Sequence, residues 1–140
     1  MDSSGSANAD SDPRSARRPL SPHLSVYRPM MTMMMSMAHR ITGAALYLAM
    51  ALLTLLLLGV GTGGFLYSAF GWLGSSAIGG LIVFLITWAI YHHLLGGVRH
   101  FLWDRGLYMD PKGRELLALG TLVGGAGLTV LTWIVKALAG

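Results

Sequence analysis

The sequence predicts an all-α integral membrane protein of three transmembrane helices, with its N-terminus inside and its C-terminus outside. Three observations carry this expectation. Of the 140 residues, 54% are hydrophobic and only 11% are charged, whereas a soluble domain has about 25% charged residues. No Asp, Glu, Lys or Arg lies between Arg40 and Arg99, or between Glu115 and Lys136. Three apolar runs, over about residues 36–60, 77–103 and 116–139, reach the roughly 20 residues that a helix needs to cross a bilayer.

Residues 1–18, MDSSGSANADSDPRSARR, are small, polar and Pro-containing, and so predict a disordered tail. They lack the apolar core of a secretory signal. Asp2, Asp10 and Asp12 argue against a mitochondrial presequence, which is poor in acids. A multi-pass protein of the bacterial inner membrane is therefore expected in preference to a mitochondrial one. Arg14, Arg17, Arg18, Arg28 and Arg40 precede or open the first span. Arg99, Arg105, Lys112 and Arg114 border the loop between the second and third, and only Lys136 falls at the other side. Lys/Arg excess marks the cytoplasmic or matrix side, which gives the orientation. It also accounts for the net charge of +4 and pI near 9.9 without nucleic acid as a partner. Absence of cysteine excludes disulfides, thiolate metal sites and a Cys-x-x-Cys-His haem attachment.

Residues 61–76, Gly-rich and uncharged, read as the loop between the first two spans, and residues 104–115 as the loop before the third. Third-span Gly120, Gly124 and Gly127 share roughly one face, which permits close helix packing. The methionines of PMMTMMMSM (residues 29–37) read as adaptable packing rather than metal ligands.

The chemistry lies at YHHLLGGVRH (residues 91–100), where three histidines and an arginine follow an oily run. Ionisable groups inside a membrane span usually face a partner, a cofactor or water. At helical spacing, one stripe of the second span holds Ala89, His93, Gly96, Gly97, His100 and Asp104, with His92 and Arg99 turned away from its centre. The first span has a corresponding stripe of Ser36, His39, Arg40, Gly43, Ala44 and Tyr47. Since the two helices run antiparallel, both stripes are polar at the same membrane side. Facing each other they predict a crevice with cationic lips and a glycine-lined interior, suited to a flat apolar molecule with acidic substituents. Haem is the leading candidate, because imidazole is a common axial ligand. His93 and His100 stand about 10.5 Å apart along the axis, which suits iron at His93 and propionates near His100, His39 and Arg40. Bland alternatives exist: His100 as an interfacial residue, His92 as an interhelical hydrogen-bonding group, and Gly96-Gly97 as packing alone. A low-spin b haem with two axial ligands would need a second histidine from a partner chain or a second copy.

RPLSPHLSVYR (residues 18–28), followed by SMAHRITG (residues 36–43), resembles the entry of the cytochrome b subunit of succinate dehydrogenase. HLLGGVRHFLWD (residues 93–104) resembles the same family's H-x-x-x-G-x-R-H segment and its trailing acid. The resemblance covers about residues 18–139. It implies a membrane anchor of respiratory complex II that shares haem b with a second anchor subunit. Iron–sulfur and flavoprotein subunits would deliver electrons from succinate, and ubiquinone would accept them. It implies that His93, rather than His92, ligates the haem iron, the choice resting on alignment at Gly97, Val98, Arg99 and His100. His39, Arg40, Arg99 and His100 become propionate contacts, and Ser36, Arg40 and Asp104 quinone-site residues. Residues 19–35 would lie at the inner surface against the iron–sulfur subunit. The chain is then one part of an enzyme and not catalytic alone. A quinol:fumarate reductase anchor and a haem-free scaffold or transporter subunit are the alternatives.

Overall fold

A computed structural model describes residues 28–140, so the expected tail and residues 19–27 of the surface segment lie outside the described residues. Four helices follow in order: α1 (Met31–Thr62), α2 (Gly64–Ser75), α3 (Ala77–Asp104) and α4 (Pro111–Ala139). Among the described residues, α1, α3 and α4 have the length and hydropathy of membrane spans. The described residues hold helices and no strand, as composition predicts, and α3 packs against each of the other helices.

Local chemistry sets the boundaries. Gly63 and Gly64 stand consecutively at φ 70° and 73°, a backbone region that glycine enters without a Cβ penalty, and here α1 ends. Ser76 starts α3 by accepting the Gly79 N–H at 3.0 Å. Asp110 starts α4 by accepting the Gly113 N–H at 3.0 Å, with Pro111 in the first turn; both are favoured helix starts.

One expected loop is a helix. Residues 64–75 form α2, packed against the end of α1 and the start of α3. Glycine lowers helix propensity in water, but near lipid the backbone must bond to itself, and a helix achieves that. Phe65, Tyr67 and Trp72 are left exposed, and the amphipathic rings of Tyr67 and Trp72 suit a membrane–water interface.

The interior inverts the order of a soluble protein. Among the described residues, Met35, Ala89 and Ala118 are the buried hydrophobic side chains, whereas Thr42, His92, Arg99, Thr121 and Thr129 are buried and polar. Large apolar side chains, such as Leu48, Leu57, Leu81 and Leu138, face outward. Lipid is as apolar as leucine, so membrane helices associate through small and polar residues instead. Close approach in α4 falls on Gly125, where a Cβ would come 3.2 Å from the His92 Cα, and on Gly124, beside Leu95. Gly120 and Gly127, expected at this contact, have open space around them. The contact follows the face of α3 that carries His92, which shifts the seam by one position.

Candidate functional site

The two polar stripes do meet, but they fill the crevice themselves. His39 and His93 stack with ring centroids 4.0 Å apart and an interplanar angle of 10°. His39 Nε2 lies 3.2 Å from the His93 carbonyl oxygen, and His93 Nδ1 lies 3.1 Å from the His39 carbonyl oxygen. A carbonyl can only accept, so each ring donates its N–H to the other's backbone.

Glycines make room for both rings. A Cβ on Gly43 would come within 2.9 Å of His93 Cε1, and one on Gly96 would run into the His39 ring. The expected gap between α1 and α3 is thus closed by imidazoles, which are the flat groups that these notches hold. Gly96 is buried by this contact, whereas neighbouring Gly97 is exposed.

His100 is exposed and meets His39 edge-on at 5.3 Å and Trp103 at 5.4 Å. Ser36 is half-buried on α1, and Arg40, one turn on, is exposed. Asp104 is exposed at the end of α3. Ser36, His39 and Arg40 therefore lie in the first three turns of α1 and His100 and Asp104 in the last turns of α3, with His93 about three turns deeper in α3.

His92 and Arg99 occupy the other side of α3. His92 is fully buried, stacks on Trp88 at 5.1 Å, and sits over Gly125 of α4. Arg99, seven residues on and so on the same face, is 2% exposed, with its guanidinium 5.2 Å from the Trp103 ring. Both His92 nitrogens, Arg99 Nε and Nη1, and Trp103 Nε1 are buried without a hydrogen-bond partner among the described residues. Sequence spacing had turned His92 and Arg99 away from the His93 stripe, and the structure places them so.

These positions test the haem reading. A metal-bound imidazole needs one nitrogen with a free lone pair, its tautomer set by a hydrogen bond at the other. His93 has that arrangement: Nδ1 is bonded to α1, and Nε2 is not among the sealed-in atoms. Both nitrogens of His92 are sealed between α3 and α4. The residues fit the group at His93.

Sequence reasoning gave Thr42 no role, although it stands in the quoted SMAHRITG motif. Thr42 is 3% exposed, and its Oγ1 is 3.4 Å from His93 Nδ1. Its position three residues after His39, in a motif of polar residues, was the available signal.

Known proteins resemble the chain along most of its length. The family model for the succinate dehydrogenase/fumarate reductase transmembrane subunit matches residues 14–135. A succinate dehydrogenase cytochrome b556 subunit from Paracoccus denitrificans is 35% identical over 124 residues, covering 89% of this chain and 95% of the relative. The corresponding subunit from Rickettsia conorii is 32% identical, covering 84% and 92%. A cytochrome b560 subunit from Marchantia polymorpha is 37% identical over 100 residues, covering 66% and 72%. With three apolar helices, paired polar stripes and a match along most of its length, the chain belongs to the family of succinate dehydrogenase/fumarate reductase transmembrane subunits.

Proposed function

We propose that this chain is the cytochrome b anchor of a succinate:ubiquinone oxidoreductase in a bacterial cytoplasmic membrane. The observation that carries the reading is the His93 ring, bonded to α1 through Nδ1 with Nε2 left for iron. In this reading His93 would hold the haem iron, together with a histidine of a second anchor subunit. Haem b bound there supplies a one-electron store between the iron–sulfur subunit and quinone.

The chain's own residues bind and orient. Arg40 and His100 offer donors to the propionates at the polar ends of α1 and α3, while His39, expected in the same set, donates its ring N–H to the His93 carbonyl and packs beside them. Arg99, expected in the same set, is buried on the side of α3 away from His93, with Nε and Nη1 unpartnered, and as a propionate contact it would have to reach round from there. Ser36 and Arg40 offer a hydroxyl and a guanidinium to a quinone carbonyl. Asp104 holds a carboxylate at the aqueous end of α3, where protons for the reduced quinone can enter. Residues 19–35 contact the iron–sulfur subunit, which is linked in turn to the flavoprotein. The names of the relatives favour succinate oxidation over fumarate reduction.

The test is a reduced-minus-oxidised spectrum of the complex purified with its partners. A low-spin b-type signal is expected in wild type and in His92→Ala, and its loss or conversion to high spin in His93→Ala. The reverse pattern moves the ligand to His92. A complex without haem returns the chain to a scaffold role.

A further inference from the structure

The His93 nitrogen that points into α1 has two oxygens near it. One is the His39 carbonyl at 3.1 Å, and the other is Thr42 Oγ1 at 3.4 Å. Thr42 Oγ1 is itself 3.0 Å from the His39 carbonyl and 2.9 Å from that of Ala38. Oγ1, the carbonyl oxygen and Nδ1 thus close a triangle, part-buried where α1 and α3 meet.

The protons in this triangle follow from its members. A threonine hydroxyl has one proton and two lone pairs. The backbone carbonyls of α1 take the proton, so Oγ1 turns a lone pair toward the ring. Since the His39 carbonyl also accepts, both oxygens require an N–H on Nδ1. The lone pair of His93 is then confined to Nε2.

Helical threonines often bond back to the carbonyl four residues earlier, and Thr54, Thr62, Thr87, Thr121, Thr129 and Thr132 do so here. Thr132 also meets the Tyr91 hydroxyl of α3 at 2.8 Å, a group that can itself donate or accept; Thr42 differs from these six in having a ring nitrogen of another helix within reach of its oxygen. Back-bonding alone does not call for that.

We propose that Thr42 is a positioning residue for His93: with the His39 carbonyl it fixes the Nδ1-protonated tautomer, presents Nε2 for axial ligation, and sets the redox balance of the iron. The proposal rests on the reading of His93 as an axial ligand. Acceptors at the remote nitrogen raise the basicity of a ligating imidazole, and a more basic ligand favours the ferric state. Removing an acceptor therefore shifts the iron toward ferrous.

The test uses the assembled complex, with redox titration of the haem and near-infrared magnetic circular dichroism of its ferric form. Thr42→Val, which keeps the shape and deletes the oxygen, is expected to retain low-spin haem. Its ferrous-to-ferric ratio at a given potential should rise about three- to tenfold, a midpoint about 30–60 mV higher at 59 mV per decade. Thr42→Ser should return the ratio to within about twofold of wild type by restoring the acceptor. Succinate-dependent dye reduction, which draws electrons upstream, should not change. Thr42→Cys, a weaker acceptor of similar size, carries the test if the valine variant does not assemble. A midpoint and ferric spectrum identical to wild type in Val, or in Cys where Val is lost, overturns the proposal while leaving His93 as ligand. Native haem ligation in His93→Ala overturns the underlying reading instead, so the two failures are distinguishable.

Discussion

His39 and His93 hold each other through ring and backbone at once, each donating its N–H to the carbonyl of the other across a 4.0 Å stack. The bonds run in opposite directions between α1 and α3, so a shift of either helix by one turn breaks both. The register of the two stripes is thereby set near mid-sequence of each motif. It brings His100 beside His39, where the two rings meet edge-on at 5.3 Å.

Notch glycines should be intolerant of a single methyl. Gly96→Ala drives its Cβ into the His39 ring, and Gly43→Ala places one 2.9 Å from His93 Cε1. Overpacking of this kind typically costs about 1–3 kcal/mol. Thermal melts of the detergent-solubilised complex should show both variants destabilised, Gly96→Ala the more, because its collision is closer. Gly120→Ala, with open space around it, should stay within about 0.5 kcal/mol of wild type. Equal melting of all three would mean that the rings do not sit in these notches.

Ser36 and Arg40 should matter more to quinone reduction than to succinate oxidation. A hydrogen bond from a charged donor contributes about 1.5–3 kcal/mol, so Arg40→Leu should weaken quinone binding about ten- to a hundredfold. Ser36→Ala is the cleaner probe, since Arg40 is also assigned to a propionate. Dye reduction by succinate should persist in Ser36→Ala while reduction of a short-chain quinone falls. Equal loss of both activities would report failed assembly, and unchanged quinone kinetics would remove Ser36 from the site.

Arg99 should change sign with haem. A buried guanidinium lacking an anion is costly, and an apolar replacement of similar volume is often neutral or stabilising. In complex from haem-deficient cells, Arg99→Met should melt at or above wild type. In haem-replete cells the same variant should lower haem occupancy, because a propionate partner is lost. Unaltered haem content would take Arg99 out of the propionate set.

Orientation can be read directly, because the chain has no cysteine. Ser75→Cys at the end of α2 should react with a membrane-impermeant maleimide from the outer side of intact cells. Lys112→Cys, between α3 and α4, should react only after lysis. The opposite pattern would reverse the topology and with it the inner-side quinone site.

Much of this architecture was legible in the residues, for identifiable reasons. Uninterrupted apolar runs marked α1, α3 and α4, since exclusion of charge over about 20 residues has few other causes. Helical periodicity correctly turned His92 and Arg99 away from the His93 face. The α2 helix was hidden because its glycines argue for a loop in water, whereas its surroundings reward internal backbone bonding. The seam at Gly125 was hidden because 120, 124 and 127 give as good a stripe as its neighbours, and only the partner's shape chooses. The Thr42 triangle depends on the register of α1 against α3, which no one-helix pattern contains.

At 32 residues α1 is the longest helix of the molecule, about 48 Å at 1.5 Å per residue, against roughly 30 Å of hydrocarbon. Tilt takes up only part of that difference, so turns at its ends reach beyond the acyl chains, and at its start they form a collar. The collar carries Met30, Met34 and Met37, each more than half exposed. Thioethers adapt to whatever surface meets them, and bare apolar patches in contact with water invite association. A copy of this chain with nothing over these methionines is therefore expected to self-associate through that rim.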